Sequence, residues 1–312
     1  MTAAGPAGFR LLRLDTAPAT VSPPPFAVAE LSVPADSPIF AGHFPDRPLL
    51  PGIAHLALLR VVLRELASRG GLPGFHRELP GDPSGDTVIA EVRKLRLRRL
   101  VSPGDRLELR LNLITTSGEA AVAAADAIRF ELWRQSGADQ PVELASEGTV
   151  RIGAGRPPAD ELLLRQGLAL GTGLPPVAGL LPHAPPALLL AAVLAAGAGG
   201  IVCEGVIPAA HPLAEGGEAP GFLAIELAAQ AAAAFQALVR PPVGGEPRIG
   251  YLVGVRGAQL SPGLPTDRAL RVSAVPAGGA AALATYDMQV SAKEGGGCLA
   301  AGTISTFLPE SR

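Results

Sequence analysis

The 312-residue chain reads the same way twice, and that repetition constrains its fold more than any other feature. In each half a β-rich apolar segment runs through a Pro- and Gly-punctuated loop into one long helix, and strands follow. In the first half the segment is 26–33, the loop 37–52 and the helix 53–69, with Gly70 and Gly71 where glycine commonly ends a helix. Strands are expected at 87–97, 106–115, 121–134 and 142–152. Residues 106–111 alternate strictly between charged residues and leucine, as a half-solvated strand should. In the second half, strands at 188–194 and 201–207 precede a loop at 208–220 and a helix at 222–239. Further strands are expected near 250–260, 269–275, 281–290 and 299–308. One helix inside a run of antiparallel strands calls for a sheet wrapped around a buried helix. The second helix suits an interior, because 227–239 carries no charged residue and its alanines let strands approach closely. The expected fold is α+β: two antiparallel sheets, each wrapped around one long central helix, packed as a pseudo-dimer. The halves are expected at 1–155 and 160–312, parted where Gly, Arg and Pro accumulate near 153–160.

Composition agrees with two globular domains. Each half is long enough to bury its own core, and 48% apolar against 17% charged residues excludes disorder as the default. With 38 Gly and 32 Pro, no single one of either is informative alone. The net charge of −2 and the absence of a large basic cluster argue against nucleic acid. The one dense basic run, Arg93, Lys94, Arg96, Arg98 and Arg99, reads as the solvated face of a strand. Its sharper reading is a landing patch for an acidic carrier protein. Cys203 and Cys298 have no metal or redox spacing. Residues 167–203 lack Asp, Glu, Lys and Arg, but Pro175, Pro176, Pro182, Pro185 and Pro186 break them into pieces shorter than a membrane span. With no basic and apolar leader evident, the expected location is the cytoplasm.

The loop from Ala41 to Gly52, Ala-Gly-His-Phe-Pro-Asp-Arg-Pro-Leu-Leu-Pro-Gly, closely resembles the signature of hot-dog 3-hydroxyacyl-ACP dehydratases. In that family a loop of the form HFPxxPxxPG carries the catalytic histidine and leads into the central helix. Residues 98–107 resemble the family's strand-turn-strand after that helix. The second half resembles the partner subunit found with such dehydratases in aryl-polyene-type pathways. Its matches are Leu181-Pro182-His183, the helix Ala224-Ile225-Glu226-Leu227-Ala228-Ala229-Gln230, and the strand from Gly250 to Arg256. The implied fold is a double hot-dog.

The family places an acid fourteen residues after the loop histidine and a glutamine four further on. Counting from His43 reaches Ala57 and Val61, so the first helix has neither. The second helix has both, Glu226 and Gln230, spaced to share one helix face, while its preceding loop from His211 to Gly221 is a degraded copy. Family sites take the histidine from one protomer and the acid from the other. The resemblance therefore implies one live composite site, His43 with Glu226, and one vestigial site of His211 facing Ala57.

Dehydration needs a base at C2 and an acid for the C3 hydroxyl. His43 suits the first, since imidazole is largely neutral near pH 7. Glu226 suits the second if burial beside an apolar acyl tunnel keeps it protonated. The N–H groups of Gly52 and Ile53 would polarise the thioester carbonyl, and Gln230 would orient Glu226 or the released water. An isolated acid in an Ala-rich helix is costly to bury, which itself favours a role for Glu226. His55 reads as a satisfied core histidine, His183 as a hydrogen-bonded anchor of the second half, and His76 as a surface loop residue. The expected substrate is a 3-hydroxyacyl chain on acyl carrier protein, with no metal and no other cofactor. Two other readings stand beside this: a hot-dog acyl thioesterase, against which the HFPxxPxxPG loop argues, and a non-catalytic subunit that binds acyl carriers.

Overall fold

The computed structural model describes residues 6–16, 26–69, 88–115, 125–153, 155, 169–170, 174–239, 248–280, 282–293 and 297–309. The expected helix stop at Gly70-Gly71, His76, the start of the strand expected at 121–134 and most of the linker lie outside these residues. The first half consists of β1 (Arg10–Thr16), β2 (Ala27–Ser32), α1 (Ala54–Ser68), β3 (Ile89–Leu97), β4 (Arg106–Thr115), β5 (Ala125–Gln135) and β6 (Glu143–Ile152). The second begins with β7 (Ala169–Leu170), β8 (Leu190–Gly197), β9 (Gly200–Gly205) and β10 (Glu218–Pro220). It continues with α2 (Leu223–Val239), β11 (Tyr251–Leu260), β12 (Gly263–Pro265), β13 (Leu270–Ala280), β14 (Leu283–Ala292) and β15 (Cys298–Phe307).

The local causes are those read from the sequence. On β4, Leu107, Leu109 and Leu111 turn inward and are buried, while the charged residues between them face out. Helix α1 buries Leu56, Leu59, Leu63 and Leu66 along one stripe. Helix α2 is buried nearly all round and packs on β13, β15, β14 and β9, the place an uncharged Ala-rich helix requires. No described helix is long and apolar enough to cross a membrane.

Sheet topology corrects one expectation. The described residues form one 13-stranded sheet in the order β1-β2-β4-β5-β6-β3-β11-β15-β14-β13-β9-β8-β7, together with the small pair β10-β12. All its pairings are antiparallel. The order is close to a palindrome, in which the first strand after each helix meets its counterpart at the centre. There β3 and β11 pair with Leu95 opposite Val255 and Lys94 opposite Arg256. The two expected sheets are thus joined edge to edge. The physical reason is that each would otherwise end on a row of unpaired N–H and C=O groups, and mutual pairing satisfies both edges. Edge strands β1 and β7 were not expected from the sequence, since the polar pattern of β1 gives little apolar alternation.

Candidate active site

The loop that ends at Gly52 is pinned by its own backbone. The His43 N–H donates to Phe40 O at 3.2 Å, the Leu49 N–H to His43 O at 3.2 Å, and the Leu50 N–H to Val101 O at 2.8 Å. The His43 side chain is fixed by Nδ1, which lies 3.0 Å from Leu49 O. A carbonyl oxygen can only accept, so Nδ1 carries the proton and Nε2 keeps the lone pair. Burial pushes the His43 pKa below its ordinary 6.5, against the opposing pull of Glu226 and the Leu49 carbonyl. The result is a neutral, basic Nε2.

Glu226 stands in the first turn of α2 and is buried. One helical turn on, Gln230 Nε2 donates to Glu226 Oε1 at 3.0 Å and to Ala187 O at 2.8 Å, while Gln230 Oε1 accepts from Leu189 N–H at 2.9 Å. His43 and Glu226 come from different halves and line one cavity of about 70 Å³ with Gly52, Gln230 and Leu252. Neither the Gly52 nor the Ile53 N–H has a hydrogen-bond partner among the described residues, and α1 starts directly after them. Those two donors are therefore available to a ligand oxygen. A Cβ at Gly52 would lie 2.7 Å from Leu97 Cδ1, so a side chain there would have to push the end of that leucine aside.

His183 was read from the sequence as a hydrogen-bonded anchor, and the structure corrects this. Its Nδ1 is buried without a hydrogen-bond partner among the described residues, and its Nε2 lies 3.7 Å from Glu226 Oε1. The His183 ring lies edge-on to His43 at 5.3 Å and packs on Phe44 at 4.9 Å. Burial, with His43 adding to it, pushes its pKa down to about 3. The halves are tied beside it: the Ala184 N–H donates to Gly42 O at 3.0 Å. Gly42 has φ +77, and a Cβ there would lie 2.0 Å from Ala184 O. The one available signal for His183 in the sequence was a titratable residue stranded in the uncharged stretch 167–203. Arg99 and Tyr251, also missed, line the same cavity.

His55 and His211 each have a different hydrogen-bond partner. His55 lines the cavity wall, but its Nδ1 is 2.8 Å from Ser146 Oγ and burial pushes its pKa down to about 4. Ile53 and His211 share a smaller adjoining cavity with His43 and Glu226. His211 Nδ1 accepts from Leu213 N–H at 3.2 Å, and burial lowers its pKa to about 4. Ala57 is buried on α1 and lines neither cavity. The loop after His211 is clamped onto α1 by Glu215, 2.9 Å from Arg64 and 3.9 Å from Arg60. In the basic run, Arg98 and Arg99 are exposed and pair with Glu147 at 2.5 Å and Glu143 at 3.0 Å. His43, His183 and Glu226 have donor atoms within 4.8 Å of one another, the one grouping among the described residues that could close on a metal ion. That spread is wider than the roughly 3.3 Å between ligands of a tetrahedral zinc.

An imidazole with a free Nε2, a carboxyl group held by an amide and the unpaired Gly52 N–H line one cavity, with the Ile53 residue at the smaller one beside it. Groups of these kinds can carry proton chemistry at a carbonyl compound. The family model described as ApeI dehydratase (ApeI-like) matches residues 23–129. The model described as ApeP dehydratase (ApeP-like) matches residues 175–312. Among solved structures, the chain is similar to the dehydratase domain of PpsC from Mycobacterium tuberculosis, solved in complex with C12:1-CoA. That match is 15% identical, covers 96% of this chain and 98% of that chain, and has a TM-score of 0.59. A trans-AT PKS dehydratase domain from Brevibacillus brevis is 14% identical, with coverage of 91% and 94% and a TM-score of 0.60. The dehydratase domain of RzxB from Pseudomonas fluorescens is 14% identical, with the same coverages and a TM-score of 0.58. At these identities the structures speak for the hot-dog fold, and the family models speak for the lineage of each half. The chain is a fused pair of dehydratase-like domains, an ApeI-like half followed by an ApeP-like half.

Proposed function

We propose that the two halves, divided near residues 155–160, build one composite dehydratase site per chain. The reaction is dehydration of a 3-hydroxyacyl thioester to the trans-2-enoyl thioester, as required in fatty-acid, polyene or polyketide biosynthesis. The thioester is carried by acyl carrier protein. What carries the reading is the meeting of His43 and Glu226, from opposite halves, across less than 4.8 Å of one cavity.

His43 Nε2 takes a proton from C2, and the C–H electron pair becomes the C2=C3 double bond. Glu226 gives its proton to the C3 hydroxyl as the C3–O bond breaks, and the oxygen leaves as water. The N–H groups of Gly52 and Ile53 hold the thioester oxygen while negative charge builds on it. A proton returned from the imidazolium to the carboxylate resets the site. Gln230 keeps Glu226 in place, and His211 with Ala57 is the vestigial counterpart.

The test is incubation of 3-hydroxyacyl-ACP with wild type, His43→Ala and Glu226→Ala, following loss of water by mass. Turnover by the wild type and near-complete loss in both variants is expected. Turnover that survives Glu226→Ala refutes the composite site.

A further inference from the structure

We propose that His183 is a positioning residue of the reacting centre: its Nε2–H faces Glu226 and donates to the carboxylate that appears when the acid gives away its proton, stabilising the negative charge. This rests on the dehydratase reading above and adds a role that the His43–Glu226 pair does not supply.

Three observations carry it. First, His183 is placed and not merely nearby. The next residue, Ala184, is hydrogen-bonded to Gly42, the residue before His43, so one backbone link sets both imidazoles. Second, the His183 side chain is only 8% exposed, and its Nδ1 has no hydrogen-bond partner among the described residues. A neutral imidazole has one N–H and one lone pair. Leaving an N–H buried without an acceptor is the costlier choice, so Nδ1 takes the lone pair and Nε2 the proton. Third, Nε2 faces Glu226 Oε1, the same oxygen that accepts from Gln230. With that oxygen bonded to one donor and facing a second, the transferable proton sits on the other carboxyl oxygen, the one free to meet the C3 hydroxyl.

The separation of 3.7 Å is too long for a hydrogen bond in the resting enzyme. Once Glu226 is a carboxylate, the same donor can close to about 2.9 Å, the distance of a charge-assisted bond. An interaction made only as charge develops lowers the barrier without tightening substrate binding. No new group is consumed: Glu226 loses one proton to the departing hydroxyl, His43 gains one from C2, and His183 stays neutral throughout.

The experiment separates this from a role in packing. Dehydration is measured beside a partial reaction that needs only His43: exchange of the C2 protons for deuterium in a saturated acyl thioester, which lacks the C3 hydroxyl. For His183→Ala, kcat for dehydration is expected to fall about 100-fold with KM little changed, the size seen when one such donor is lost. C2 exchange should continue at close to the wild-type rate. His183→Gln, which keeps an N–H donor, should recover part of kcat, and it guards against a misfolded alanine variant. Equal loss of exchange and dehydration would mean that His183 only shapes the pocket around His43, and undiminished dehydration in His183→Ala would remove its role altogether. If the wild type exchanges C2 protons but dehydrates nothing, the dehydratase reading itself falls, and this inference with it.

Discussion

Gln230 and Glu226 are joined by a hydrogen bond whose direction is fixed, because the other end of the amide is fully committed. Gln230 Oε1 is occupied by the Leu189 N–H, so the nitrogen must point at Glu226 and at Ala187 O. Replacing Gln230 by Leu keeps the volume but leaves the buried Leu189 N–H and the half-buried Ala187 O without this partner, and frees Glu226. The expected cost is about 1–3 kcal/mol in denaturant unfolding, with at least a tenfold loss of kcat. A variant with unchanged kcat would mean that the amide serves the backbone of 187–189 alone.

The acidic side of the pH–rate profile tests His43. The base must be neutral to act, and burial holds its pKa below 6.5. The acid limb of kcat/KM, which reports the free enzyme, is therefore expected below pH 6.5. A limb at or above that value would show the imidazole paired as a cation with Glu226.

Stability should also respond to acid. In the unfolded chain His55, His183 and His211 each bind a proton near pH 6.5, whereas in the fold they resist it until about 4, about 3 and about 4. Between those values the unfolded state holds more protons, so stability rises with pH and is lost as pH falls from about 6.5 to about 4. Urea midpoints across that window should drop, and His55→Gln should flatten the drop while costing the Ser146 contact at pH 7.

Gly42 is predicted to tolerate no side chain. Its positive φ and the 2.0 Å approach to Ala184 O leave Gly42→Ala both strained and clashing. The variant should lose at least about 2 kcal/mol and most of its activity together, because the loop carrying His43 and the segment carrying His183 must separate. Thermal unfolding alongside turnover measures both.

Substitution of His211 gives the complementary control. His211→Ala should keep dehydration within about threefold of wild type, given a second histidine loop with no acid at Ala57 to serve. A large loss would bring the smaller cavity into the reaction.

The sequence made the helices legible to within a residue at their starts, because Pro-Gly loops precede them and an uncharged Ala-rich segment has only one stable place. It also drew attention to His43 through the resemblance of its loop and to Glu226 and Gln230 through that of the second helix, and the structure brings the three around one cavity. It did not reveal the continuity of the sheet, since pairing of β3 with β11 depends on edges meeting in space and leaves no periodic mark. His183 was missed for a related reason. Nothing local distinguishes an imidazole that anchors a strand from one aimed at a carboxyl group brought 43 positions along the chain from it.

The seam between β3 and β11 also has a consequence for how such a site can be assembled. Two first halves meeting along β3 would enclose His43-type loops and no acid, and two second halves would enclose acids without the intact loop. On the composite site proposed above, only the mixed pairing would be productive, and as separate chains the surfaces alone would have to enforce it. Carried on one polypeptide, the correct partner is present at an effective concentration on the order of millimolar, whatever the abundance of the protein in its surroundings. Partner choice is then made by covalent linkage, and each half can shed the residue that the other supplies.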